Sequence, residues 1–206
     1  MSGSTLQEQQ IHQQLIQGVE LAGQGMTAER SGNPQLASAY FDQSIDAFRH
    51  WLQAIEQAGL PVPHIGYYLL SNNHFMAARA KSAIGWAPIA RAHLSHALNE
   101  LKVGLRLAPN QPEYHAAAGI LLVAMGNLKE AQRALTNAAR LDPANRKVGV
   151  LMSVIQTAQA NQSFQQSEQA ANASTSIADW IKLASDVFDL ANSAMDAIGK
   201  FQSLSR

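Results

Sequence analysis

Apolar positions recur in steps of three and four along most of this chain, the spacing that lines one face of an α-helix. Leu6, Ile11, Leu15, Ile16, Val19, Ala22 and Met26 mark a first helix over residues 5–30, set in a Gln-rich background. Gly18, Gly23 and Gly25 fall inside it and Gly32 just beyond it. An interior glycine costs about 1 kcal/mol against alanine, so a helix that keeps several is expected to approach a neighbour's backbone closely. Asn33 and Pro34 then supply an N-cap and a first-turn proline. From there Ala37, Tyr40, Phe41, Ser44, Ile45, Phe48, Trp51, Leu52 and Ile55 trace a second amphipathic helix that runs to Gly59.

Pro61 and Pro63 break the pattern, since each removes a backbone donor and biases its predecessor to extended geometry. Residues 66–84 read as a third helix, frayed at Ser71-Asn72-Asn73. Gly85 and Pro88 bracket a turn, and Pro88 opens a helix to Leu107. Pro112 to Asn145 reads as two helices joined at Gly126-Asn127. An offset of 34 residues brings Gly85 onto Gly119, Ala90 onto Ala124, Leu94 onto Leu128, Ala97 onto Ala131, Leu101 onto Leu135, Arg106-Leu107 onto Arg140-Leu141 and Pro109 onto Pro143. A second offset, of 94, pairs Gly25 with Gly119, Gly32-Asn33 with Gly126-Asn127, Ala37 with Ala131 and Phe41 with Leu135. After Pro143, Val148, Leu151, Met152, Ile155 and Ala158 supply a further apolar face. Residues 159–176 are mostly Gln, Asn, Ser and Ala, which suits a flexible tether or a poorly specified helix extension. A last stripe runs through Ile177, Trp180, Ile181, Ala184, Val187, Phe188, Ala191, Ala194, Met195, Ile198 and Phe201, opposite Asp179, Lys182, Asp186, Asp189, Asn192, Ser193 and Asp196. Such a helix cannot stand alone in water without exposing a large apolar patch, so it is expected to dock.

The Pro112–Asn145 segment, with Gly119, Gly126, Ala131, Leu135, Ala138 and Pro143 at these spacings, resembles a tetratricopeptide repeat, a helix–turn–helix unit of 34 residues. The resemblance implies an all-α fold: a right-handed solenoid of antiparallel helix pairs, ending here in a long amphipathic C-terminal helix. It makes 78–111 a second, divergent repeat, in which Pro88 departs from the large residue the family places late in its first helix. Residues 1–60 become an N-terminal hairpin, either a degenerate repeat or similar to a microtubule-interacting-and-trafficking hairpin. Residues 64–160 become the repeat region with its capping helix, 161–176 the tether and 177–206 the C-terminal helix. In the family the first helix of each repeat lines a binding groove. Carried over by register, that groove takes Arg79, Ser82, Ala83, Trp86, Ile89 and Ala90 from one repeat. It takes Glu113, Ala116, Ala117, Ile120, Val123 and Ala124 from the next, and Lys147, Val150 and Leu151 from the following helix. The basic clamp that some members use for a carboxylate terminus is not built, because those places hold Ser82, Trp86 and Ala117. The groove is expected to take a helical, apolar segment of a protein partner. The alternative is that these positions are buried in a short, closed array.

Composition narrows the picture further. Fifteen basic and fifteen acidic residues cancel, with no Lys/Arg cluster to follow a phosphate backbone, so no nucleic-acid partner is expected. With no cysteine, thiolate chemistry and Cys-type zinc sites are excluded. The start of the chain lacks a basic segment followed by an apolar one, and four Asp in the last helix disfavour an anionic membrane, so a cytoplasmic setting is the expectation. HExxH, GxGxxG, GxxxxGK[ST] and GxSxG are all missing, so neither catalysis nor a cofactor is expected. His93 and His96 share a helix face, and with His64 and His74 are the available metal-ligand types, though no Glu-x-x-His pattern accompanies them. The function expected is that of an adaptor or scaffold. Two alternatives are a chaperone for secreted or assembling subunits, and a structural protein that self-associates, as a homodimer for example, through Trp180, Ile181, Val187, Phe188, Met195 and Ile198.

Overall fold

The computed structural model describes residues 2–145, 148–153, 155–156 and 181–182. Lys147, Trp180, Val187, Phe188, Met195 and Ile198 lie outside the described residues, as do the tether and most of the expected C-terminal helix. Over residues 2–141 six helices follow one another: α1 (Ser2–Arg30), α2 (Pro34–Gln57), α3 (His64–Ala83), α4 (Ala87–Leu107), α5 (Pro112–Ala124) and α6 (Leu128–Leu141). Residues 148–153 are helical as well, and there is no strand among the described residues. Contacts are heaviest within the pairs α1–α2, α3–α4 and α5–α6, and lighter between α2 and α3 and between α4 and α5. The fold is thus a stack of three antiparallel helical hairpins, the architecture that the repeat resemblance implies.

Each hairpin turns on a left-handed glycine: Gly32 at φ 72°, Gly85 at φ 80° and Gly126 at φ 77°. At that φ a Cβ would strain against the chain, so glycine is required. Two backbone hydrogen bonds close each helix end. Asn33 N donates to Ala28 O, Trp86 N to Lys81 O and Asn127 N to Leu122 O, at 2.8–2.9 Å. The glycine amides meanwhile reach Glu29, Ser82 and Val123 at 2.8–3.0 Å, satisfying carbonyls the helix leaves open. Asn33 caps α2 as its sequence foretells, its Oδ1 accepting from Leu36 N at 3.1 Å.

Around these turns the three hairpins share one spacing. Seven residues before the glycine stands a small residue (Gly25, Ala78, Gly119). Five after it comes a fully buried alanine (Ala37, Ala90, Ala131), and nine after it a fully buried large side chain (Phe41, Leu94, Leu135). In the first and third hairpins the small and large positions meet. A Cβ on Gly25 would lie 2.6 Å from Phe41 Cε1, and one on Gly119 would lie 2.5 Å from Leu135 Cγ. Gly18 leaves room for Phe48 in the same way, and there Ser44 Oγ donates to Gly18 O at 2.7 Å across the two helices. Close approach is therefore the reason α1 keeps Gly18 and Gly25. Gly23, with nothing within 4 Å of a Cβ, has no such reason.

Two sequence expectations change. Pro88 lies in the first turn of α4, not late in a first helix, so the second hairpin spans 64–107 and a unit cut at 78–111 divides α3. The match of Gly85 with Gly119 pairs a turn with the middle of α5; the structural counterpart of Gly85 is Gly126. In addition, Ser71-Asn72-Asn73 does not fray. α3 is continuous, and these residues are 1–5% exposed, because packing surrounds them.

Filling the glycine hole at Gly119 with Gly119→Ala is expected to cost about 1–3 kcal/mol, since Leu135 must leave its rotamer. Gly23→Ala, which meets open space, is expected to add about 0.5–1 kcal/mol. Urea unfolding of the two variants checks both signs.

Candidate functional site

The predicted groove positions divide between covered ones, most of them on α5, and exposed ones. Ala116, Ala117, Ile120, Val123 and Ala124 are 0–2% exposed, and Ala90 and Leu151 are fully buried. From Ala116 to Ala124 α5 is apolar on every side and buried on every side, as that composition requires. Ile181, far along the chain, is 4% exposed and belongs to the same continuous apolar cluster. Of the other predicted groove positions, Glu113 and Ala83 are exposed and Ser82 is half-buried. Trp86, Ile89 and Val150 are 52%, 45% and 54% exposed; Trp86 sits in the α3–α4 turn rather than on a first helix. Arg79 turns instead to α1, where its Nη2 meets Glu29 Oε2 at 2.9 Å and its Nε donates to Glu29 Oε1 at 3.2 Å. This two-point contact ties the first hairpin to the second. An open cleft of about 850 Å³ runs along α1 and α2, past Glu20, Gln24, Thr27, Leu36 and Tyr40.

Tyr114 joins the third hairpin to the second. Its ring stacks on Tyr68 at 4.7 Å with planes 8° apart, and its hydroxyl meets His64 Nδ1 at 2.8 Å. Gly104 in α4 makes room for it, since a Cβ there would lie 3.2 Å from the ring. Burial pushes the Tyr68 hydroxyl up to about 12 and raises Tyr114 as well, so both phenols stay protonated.

Between α2, α3 and α4 lies a polar layer that periodicity alone did not reveal. Lys81, 5% exposed, places Nζ 2.6 Å from Asp42 Oδ2 and 2.8 Å from Ser38 Oγ. His74, 2% exposed, meets Arg49 Nη2 through Nε2 at 3.2 Å and His93 Nδ1 through its own Nδ1 at 3.0 Å. His96 stacks on His74 at 5.4 Å. Burial, reinforced by the neighbouring His93, Arg49 and His96, pushes His74 down to about 3. Desolvation also lowers His93, helped by Lys81, and raises the Glu100 carboxyl. Three of the four histidines singled out as metal-ligand types thus come together, while His64 stands apart on Tyr114. Among the described residues no group of three or more His, Asp or Glu has metal-holding geometry. The hint available beforehand was the His74/His93/His96 composition; what the sequence hides is that Lys81 and Arg49 converge on the same layer.

No family model matches the sequence, and no curated protein sequence matches it. Among solved structures, the C-terminal TPR-containing domain of an FK506-binding protein from Plasmodium falciparum is similar. It is 12% identical, the match covers 77% of this chain and 96% of that domain, and the TM-score is 0.40. No helix among the described residues is long and apolar enough to cross a membrane.

Removing one member of the Lys81–Asp42 pair should be asymmetric. Asp42→Ala strands a buried ammonium and is expected to cost about 1–3 kcal/mol. Lys81→Met leaves only a half-exposed carboxylate, which water can solvate, and is expected to cost less. Thermal unfolding at pH 7.5 orders the two.

Proposed function

We propose that this chain is a non-catalytic protein-interaction module, an adaptor or scaffold whose hairpin array accepts an apolar helical segment, and that in the isolated chain the segment around Ile181 fills that place. The supporting observation is the closure of the α5 face at 0–2% exposure, with Ile181 in the same buried cluster. A tether places its segment at an effective concentration near millimolar, so even a weak site is filled in cis. An external partner would then bind by displacing it, with Trp86 and Ile89 left exposed beside the α3–α4 turn as a first foothold. The same contact made between two chains would give a self-associating protein instead, and solution mass separates the two arrangements.

Ile181→Asp in the full chain is expected to raise binding of an apolar-surface dye severalfold without changing the molar mass measured by light scattering. A synthetic peptide of residues 177–201 should bind that variant and reverse the dye signal, and should bind the unaltered chain at least tenfold more weakly. Unchanged dye binding, or a peptide that ignores both proteins, would count against the proposal. A dimeric unaltered chain that becomes monomeric on Ile181→Asp would favour exchange between chains.

A further inference from the structure

The hydrogen-bond partners of the buried histidines determine where their protons sit. Arg49 carries only donors, so His74 Nε2, 3.2 Å from its Nη2, must present a lone pair. Neutral His74 then bears its proton on Nδ1, which faces His93 Nδ1 at 3.0 Å. His93 must accept there, which puts its own proton on Nε2, 3.7 Å from Asp42 Oδ1. Asp42 Oδ2 in turn takes Lys81. Donation therefore runs from Arg49 through His74 and His93 to Asp42, which also accepts from Lys81, and neither ring keeps a vacant acceptor.

We propose that this layer is a proton-operated latch between the first hairpin and the second, closed only while His74 and His93 are both neutral. An added proton has three placements that leave the pair charged. Doubly protonated His74 turns an N–H against the Arg49 guanidinium. Doubly protonated His93 sets N–H against N–H between the two rings. Transfer of the His74 proton to Nε2, with His93 doubly protonated, again meets Arg49. Each placement breaks a contact that joins α3 to α2 or α4 and adds a cation beside Arg49.

The surroundings relieve that charge only in part, through Asp42 beside His93. From α2 the facing groups are Arg49, with Asp46 beside it at 3.8 Å, and Asp42, already taken by buried Lys81 of α3. From α4 they are His96 and Glu100, whose carboxyl is itself shifted toward the neutral form by burial. The low value held by His74 and the lowered one of His93 agree with this geometry. Both groups bind a proton more readily once the layer has opened. The latch is thus at full strength above about pH 6.5, the ordinary histidine value, and weakens as pH falls from there toward 3.

The experiment uses the full chain. Long-range nitrogen–proton correlation spectra at pH 8 are expected to show His74 protonated on Nδ1 and His93 on Nε2. Urea unfolding between pH 8 and 5 is expected to show the folding equilibrium constant falling below pH 6.5 by an extra factor of about ten per pH unit for His74, with a further fall from His93 in the same direction. His74→Gln, whose amide oxygen still accepts from Arg49, should remove about one such factor relative to the unaltered chain. A proton on His74 Nε2 at pH 8, a His74 that titrates near 6.5 in the folded chain, or an unchanged pH slope in His74→Gln would each overturn the proposal. If that variant does not fold, the spectra of the unaltered chain decide alone.

Discussion

The structure depends on how closely two helices can approach on either side of a left-handed glycine. At Gly32, Gly85 and Gly126 the chain reverses in the same way, with the same pair of backbone hydrogen bonds. Once the reversal is set, positions counted from it face each other across the pair. A small residue seven before and a large one nine after then interlock, as Gly25 does with Phe41 and Gly119 with Leu135. Dispersion contacts are individually small, and only this close approach brings enough of them together in a hairpin of small side chains.

The hairpins are joined to one another by different chemistry. Between the second and third the joint is aromatic: Tyr114 stacks on Tyr68 and hydrogen-bonds His64. Between the first and second it is largely ionic and polar. Arg79 with Glu29, Lys81 with Asp42, and the His74–His93 pair under Arg49 all cross that boundary or abut it. A buried polar layer is costly to leave incomplete, so its partners are bound to a single arrangement. The joint between the second and third hairpins rests mainly on ring packing, whereas the joint between the first and second sets histidines between two cations. The two interfaces of one array therefore answer to different conditions.

Repetition was legible in the sequence, but its frame was not. An offset of 34 aligns the ends of α4 and α6, and an offset of 41 aligns their beginnings, because α4 has 21 residues and α6 has 14. The difference is seven residues, about two helical turns, so a stripe in steps of three and four satisfies both offsets equally. This degeneracy is why Gly85 falls upon Gly119 in sequence while its structural counterpart is Gly126. The offset of 94, by contrast, joins positions that are equivalent in space, because both ends are counted from a turn.

By itself the sequence determined the helices, their boundaries to within a few residues, the capping at Asn33 and the glycines demanded by close packing, for these are local consequences of periodicity and backbone sterics. Tertiary structure alone decided the rest. Which faces of α3 and α5 close, that Trp86 stays at the surface while Asn72 and Lys81 go under, and that Arg49, Asp42, His74 and His93 meet in one layer all depend on contacts between residues tens of positions apart. A helical stripe specifies which side of a helix seeks cover. It carries no information about what lies on the other side of that cover, and the chemistry of this protein is found there.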